Sequence, residues 1–158
     1  MRKLKIYLDT SVISHLDAPD TPDKQADTLQ LWEEIKAGLY DVYISDVVIE
    51  EIEKNVEEKK ERLTNYLAEI DYTRISIIDD IRKYAAELNK LGILSDKHIA
   101  DCLHIGAAVV SDCDMLLSWN FKHMVKVKTI NGVRSVNAMF GYHGIDIYSP
   151  NLLIESED

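Results

Sequence analysis

Cysteine is scarce in this chain, basic residues are outnumbered, and no long apolar run occurs; each deficit removes a class of function. The two cysteines, Cys102 and Cys113, show no Cys-x-x-Cys spacing and no Cys/His ligand pattern. Structural zinc and a disulfide framework are therefore excluded, and the thiols are expected to be reduced in a cytoplasmic protein. Lysine and arginine total 18 against 28 aspartates and glutamates, a formal net charge of -10. That balance rules out a broad basic face for nucleic acid, so any polyanion would have to be bound locally with the help of cations. The apolar run that begins at Leu4 stops at Asp9, too early for a signal sequence, and no other segment is long enough to span a bilayer. Neither secretion nor membrane insertion is expected. Repeats, low-complexity tracts and interdomain linkers are missing as well. At 158 residues and 46% hydrophobic composition the chain suits one domain with a substantial core. Residues 1–150 are read as that domain and 151–158 as an acidic tail, with fraying expected over 155–158.

What the sequence does contain is a regular alternation of strand and helix patterns. Residues 4–8 form an apolar run too short for a helix, which reads as a parallel strand covered on both faces. Residues 40–45 alternate and are rich in β-formers; 73–78 and 115–118 give third and fourth strands, and 145–148 a last edge strand. Between them, helices are predicted over 11–16, 24–37, 47–55, 57–70, 79–91, 96–110 and 130–140, several closed by a glycine such as Gly38, Gly92 or Gly141. The alternation predicts an α/β fold, a parallel sheet wrapped by helices.

Ligands of open α/β sheets sit beyond the carboxyl ends of the strands, and polar residues recur there. Asp9 follows the first strand and precedes Thr10 and Ser11; the competing reading is that it only caps the next helix. In the helix over 47–55, residues four apart share a face, so Glu51 stacks over Val47 on the apolar side, whereas Glu50 lies with Asp46 and Lys54. Glu51 is therefore preferred as the functional carboxylate. The helix over 96–110 is apolar around nearly its whole circumference except for a strip holding Lys97, Asp101 and His104, which must face something that satisfies it. Asn120 stands just past the fourth strand, where its side-chain oxygen could reach a cation or hydrogen-bond a loop. Lys122, His123, Lys126 and Lys128 are candidates for phosphate contact, with ordinary surface charge as the alternative. Three gathered carboxylates need a compensating charge, and an oxygen-only donor set favours Mg²⁺ or Mn²⁺.

The stretches around Asp9 (Ile6 to Ile13), Glu51 (Ser45 to Ile52), Asp101 (Ala100 to Ala108) and Asn120 (Asp114 to His123) together resemble the PIN-domain family, and within it the VapC-type toxin ribonucleases of toxin-antitoxin systems. The resemblance covers most of the chain in the correct order. It implies a three-layer α/β/α sandwich around a central parallel sheet of four to five strands, and metal-dependent cleavage of RNA. It makes Asp9, Glu51 and Asp101 the metal-binding acids, with Asn120 as a further catalytic position. Thr10 or Ser11 would orient Asp9 or touch substrate, beside Lys122 and His123. Its implied partners are RNA, an antitoxin protein and a second copy of the chain. Where the family often has a fourth aspartate, this sequence has Asn120, which weakens the case for a second metal. A binding module that does not cut RNA is the alternative. A phosphotransfer enzyme using Asp9 as nucleophile lacks the second acid two residues on.

Overall fold

A computed structural model describes residues 2–154. The predicted tail residues 155–158 lie outside the described residues. Five strands, β1 (Leu4–Leu8), β2 (Tyr40–Ser45), β3 (Thr73–Ile75), β4 (Met115–Leu117) and β5 (Asp146–Tyr148), make one sheet in the order β3-β2-β1-β4-β5. All four pairings are parallel, with Ile6 opposite both Val42 and Met115. Among the described residues eight α-helices connect or follow them: α1 (Thr10–Ser14), α2 (Pro22–Lys36), α3 (Asp46–Glu53), α4 (Glu57–Ala68), α5 (Asp79–Lys90), α6 (Ile99–Val110), α7 (Val127–Phe140) and α8 (Pro150–Leu153).

Strand periodicity divides the core into two layers. Ile6 and Leu8 on β1, Val42 and Ile44 on β2, and Met115 and Leu117 on β4 point to one face, where Val12, Leu31, Trp32, Val48 and Leu63 of α1–α4 cover them. Tyr7 and Leu116 point to the other and meet Ile81, Tyr84, Leu88, Ile105, Ala108 and Val133 of α5–α7. Every one of these residues is buried. The result is the three-layer α/β/α sandwich that the resemblance implied.

Element boundaries differ from the sequence reading where a local signal was ambiguous. β3 ends at Ile75, not Ile78, because Ile78 leaves the sheet and precedes α5, half exposed at 51%. The long helix expected from Asp96 begins as a 3-10 turn over Asp96–His98, and Ile99, expected among its buried positions, is 49% exposed. α7 starts at Val127, ahead of the predicted start at residue 130, and is capped by Gly141, whose φ of +76° suits a left-handed cap. The short α8 was not expected at all.

β1 and β4 are neighbours although the chain first runs outward through β2 and β3, so the sheet's topological switch point lies between them. α6 is drawn close to α5 at Gly106. A Cβ there would stand 3.0 Å from the carbonyl oxygen of Ile81 and 3.5 Å from the Tyr84 ring. Gly106→Val should thus lower stability by at least about 2 kcal/mol, or roughly 4–8 °C in Tm, because helix backbone and not a flexible side chain must yield. Urea and thermal unfolding monitored by circular dichroism measure it.

Candidate active site at the carboxyl ends of the strands

Asp9 leaves β1 in extended conformation and caps α1, its Oδ1 accepting hydrogen bonds from the Val12 amide at 3.2 Å and the Ser11 hydroxyl at 2.5 Å. The capping reading and the site reading are therefore compatible. Its side chain is only 3% exposed as a residue, and that burial pushes its carboxyl above the usual range, opposed by His104, Ser11, Ser118 and the Val12 amide. Ser11 also accepts from the main-chain N–H of Trp119 at 2.9 Å, tying the exit of β4 to Asp9.

Ser45 closes β2 and caps α3 by accepting from the Val47 amide at 3.2 Å. Two turns later α3 presents Glu51 inward, half-buried, while Glu50 is exposed. Glu51 Oε1 accepts from the Thr10 hydroxyl at 2.7 Å and lies 2.7 Å from His104 Nε2. Partial burial is the largest single influence on Glu51 and raises it, but the hydrogen bond and charge of His104, with Thr10 and Lys54, together hold its carboxyl below the usual range. Asp101 sits in the first turn of α6, half-buried, 3.8 Å from His98 Nδ1. Burial lifts its carboxyl above the usual range, His104 and His98 oppose this, and the neighbouring Asp9 and Glu51 add to the rise.

Asp9, Glu51, Asp101 and Asn120 wall one cleft of about 280 Å³, with Thr10, Ser11, Ser14 and His104 between them. A larger hollow of about 610 Å³, at the amino ends of β1 to β3 beside Lys3, Tyr40 and Thr73, contains none of the expected site residues. The donors in the cleft are the carboxylate, amide and hydroxyl oxygens that hard divalent ions take, so Mg²⁺ or Mn²⁺ fits their chemistry. They do not form a ready-made ligand set. Among the described residues no three His, Cys, Asp or Glu side chains are grouped closely enough to hold a metal as they stand. Glu51 is turned toward Thr10 and His104.

Several expectations change in detail. Of Thr10 and Ser11, Ser11 orients Asp9 and Thr10 holds Glu51. Asn120 uses its side-chain oxygen to accept from the His123 amide at 2.9 Å, fastening the loop after β4. Lys122 is exposed and neither it nor His123 lines the cleft. The His123 ring lies against His98 at 3.7 Å between centroids, a pairing that sequence separation concealed. Asp114 is remote from the site, at the amino end of β4, where it accepts from Arg2 at 2.8 and 2.9 Å and from the Lys5 amide. Trp32 and Trp119 are buried, as packing residues should be.

The raised carboxyl of Asp101 has a definite consequence for stability. Between the ordinary carboxylate range and its raised value, the folded protein holds a proton that the unfolded chain has released, so stability falls as pH rises through that window. Asp101→Asn should therefore raise the Tm of the metal-free protein at pH 8, and the gain should fade toward pH 4. Thermal unfolding of both proteins across that range in chelator checks it.

Among solved structures, VapBC-1 from nontypeable Haemophilus influenzae is similar at a TM-score of 0.57 and 14% identity, over 94% of this chain and 99% of that one. Mycobacterium tuberculosis VapC20, described as a Sarcin-Ricin loop cleaving toxin, gives 0.55 and 13% over 75% and 92%. Rickettsia felis VapBC2, bound to a DNA fragment from its promoter, gives 0.53 and 19% over 75% and 90%. These likenesses show a shared fold. No curated protein matches the sequence. The PIN domain profile matches residues 6–122, a stretch that contains Asp9, Glu51, Asp101 and Asn120, and on that match the chain belongs to the PIN domain family.

Proposed function

We propose that this protein is a metal-dependent endoribonuclease of the VapC kind. The observation that carries the reading is the meeting, at one switch-point cleft, of a buried Asp9, a half-buried Asp101 and Glu51 from three separate segments of an acidic chain. Asp9 and Asp101 are held under conditions that resist ionisation, and clustered carboxylates of this sort are stabilised when a cation joins them. Asp9, Glu51 and Asp101 would hold Mg²⁺ or Mn²⁺, which when bound supplies an activated water and charge stabilisation at phosphorus.

The chain's own residues do the positioning. Ser11 and the Val12 amide hold Asp9, Thr10 steadies Glu51, and Asn120 fixes the loop that borders the cleft. The Ser14 hydroxyl on the cleft wall can donate to a phosphate oxygen without adding charge. RNA as substrate is suggested by the description of VapC20, and an antitoxin-type protein partner by the two VapBC neighbours. A homodimer and a cytoplasmic location complete the proposal, in keeping with two free, buried cysteines and with the finding that no helix among the described residues is long and apolar enough to cross a membrane.

One observation favours a second reading, a PIN-like module that binds RNA or a partner without cutting. Asn120 replaces an acid and its oxygen is already engaged, and Glu51 is engaged by Thr10 and His104. The two readings separate in one assay. With Mn²⁺ or Mg²⁺ the purified protein should cleave RNA, chelation should stop it, and Asp9→Asn and Asp101→Asn should each reduce the rate at least about 100-fold, since bound metal supplies several kcal/mol of barrier lowering. RNA retained intact by folded protein in excess metal establishes the binding module instead.

A further inference from the structure

Ser45, Tyr7, His104 and Glu51 form an unbroken line of hydrogen bonds from the end of β2 to the cleft. Ser45 Oγ and the Tyr7 hydroxyl are 2.8 Å apart, that hydroxyl and His104 Nδ1 are 2.6 Å apart, and His104 Nε2 and Glu51 Oε1 are 2.7 Å apart. The first three residues are buried at 0%, 0% and 2% exposure. The direction of the bonds follows from what each end can do. An ionised Glu51 only accepts, so His104 Nε2 must carry a proton aimed at it. Ser45 Oγ already accepts from the Val47 amide, which leaves its hydrogen to point at the Tyr7 oxygen. The Tyr7 hydrogen then points at His104 Nδ1. Should the imidazole carry two protons, Tyr7 can accept from Nδ1 and donate to Ser45, so in either state the proton on Nε2 stays directed at Glu51. The Tyr7 ring also meets the imidazole edge-on, with centroids 5.7 Å apart and planes at 61°.

We propose that His104 is the positioning residue of the site: held by Tyr7, it grips Glu51 by Oε1 and so fixes the carboxylate that would help to hold a divalent cation. Histidines buried at 2% exposure for packing alone need no carboxylate at 2.7 Å, and Thr10 converges on the same oxygen. The role extends the proposed nuclease reading, but its first test does not need RNA.

Mn²⁺ titration by calorimetry compares the wild type with His104→Ala, His104→Gln, His104→Asn and Tyr7→Phe. Partners that orient metal ligands typically contribute about 10–100-fold in affinity, the loss expected for His104→Ala. His104→Gln, whose amide nitrogen reaches the Nε2 position, should recover to within about threefold of wild type, and the shorter His104→Asn should not. In RNA cleavage, kcat should fall along the same series with KM unchanged. Equal affinities for the Gln and Asn variants, or a folded Ala variant that binds Mn²⁺ like the wild type, would overturn the assignment. If the Ala variant does not fold, Tyr7→Phe decides: weaker Mn²⁺ binding supports the role and unchanged binding removes it. Wild-type protein that binds Mn²⁺ but leaves RNA intact defeats the nuclease reading while the affinity series still judges His104; wild type that binds no Mn²⁺ defeats both.

Discussion

The burial of the Asp9 carboxylate at the end of β1 is the constraint to which the surrounding structure answers. A carboxylate so nearly removed from water is costly unless donors surround it, and here the Val12 amide and Ser11 hydroxyl are the donors. Ser11 in turn accepts from the Trp119 amide, and Trp119 donates its indole N–H to Thr28 on α2 at 2.9 Å. The geometry around Asp9 is thus referred to β4 and to a long helix, not to a flexible loop. A short parallel strand is well suited to this task, because its hydrogen bonds to β2 and β4 leave its carboxyl end little freedom.

The division of the core by strand parity explains how the other acids arrive. Ile6 and Leu8 anchor β1 to the layer of α1–α4, from which Glu51 comes; Tyr7 anchors it to the layer of α5–α7, from which Asp101 and His104 come. The cleft lies where the two layers meet over the carboxyl ends of β1 and β4. Tyr7 belongs to one layer by its ring and joins the other through Ser45, so packing of the core and placement of the site are one set of contacts. The closeness of α5 and α6 at Gly106 serves the same end by seating α6 deeply enough for His104 to be buried.

Much of this was legible in the sequence because it depended on local patterns. The run Ile6 to Leu8 ending on Asp9, the shared face of Val47 and Glu51, and the narrow polar strip with Asp101 and His104 each carried its own signal, and they do line one cleft. What could not be read depended on distant pairings. His104 could be placed on the strip, but its work is defined by Tyr7, 97 positions away, and Glu51, 53 positions away. The stacking of His98 on His123 was hidden for the same reason, and the capture of the Asn120 oxygen by a backbone amide depends on a loop conformation that residue types alone leave open. Ile78, read as the end of the third strand, and Ile99, read as buried, depart from expectation because hydrophobicity marks strand or burial only when the element continues in its register, and both stand at helix starts.

The central claim is that the cleft bounded by Asp9, Glu51 and Asp101 is a divalent-cation site. Anomalous diffraction from a crystal soaked in Mn²⁺ tests it most directly. A manganese peak is expected between the Asp9 and Asp101 carboxylates, with Glu51 within reach. A well-ordered crystal in millimolar Mn²⁺ that shows the cleft filled only by water would contradict it.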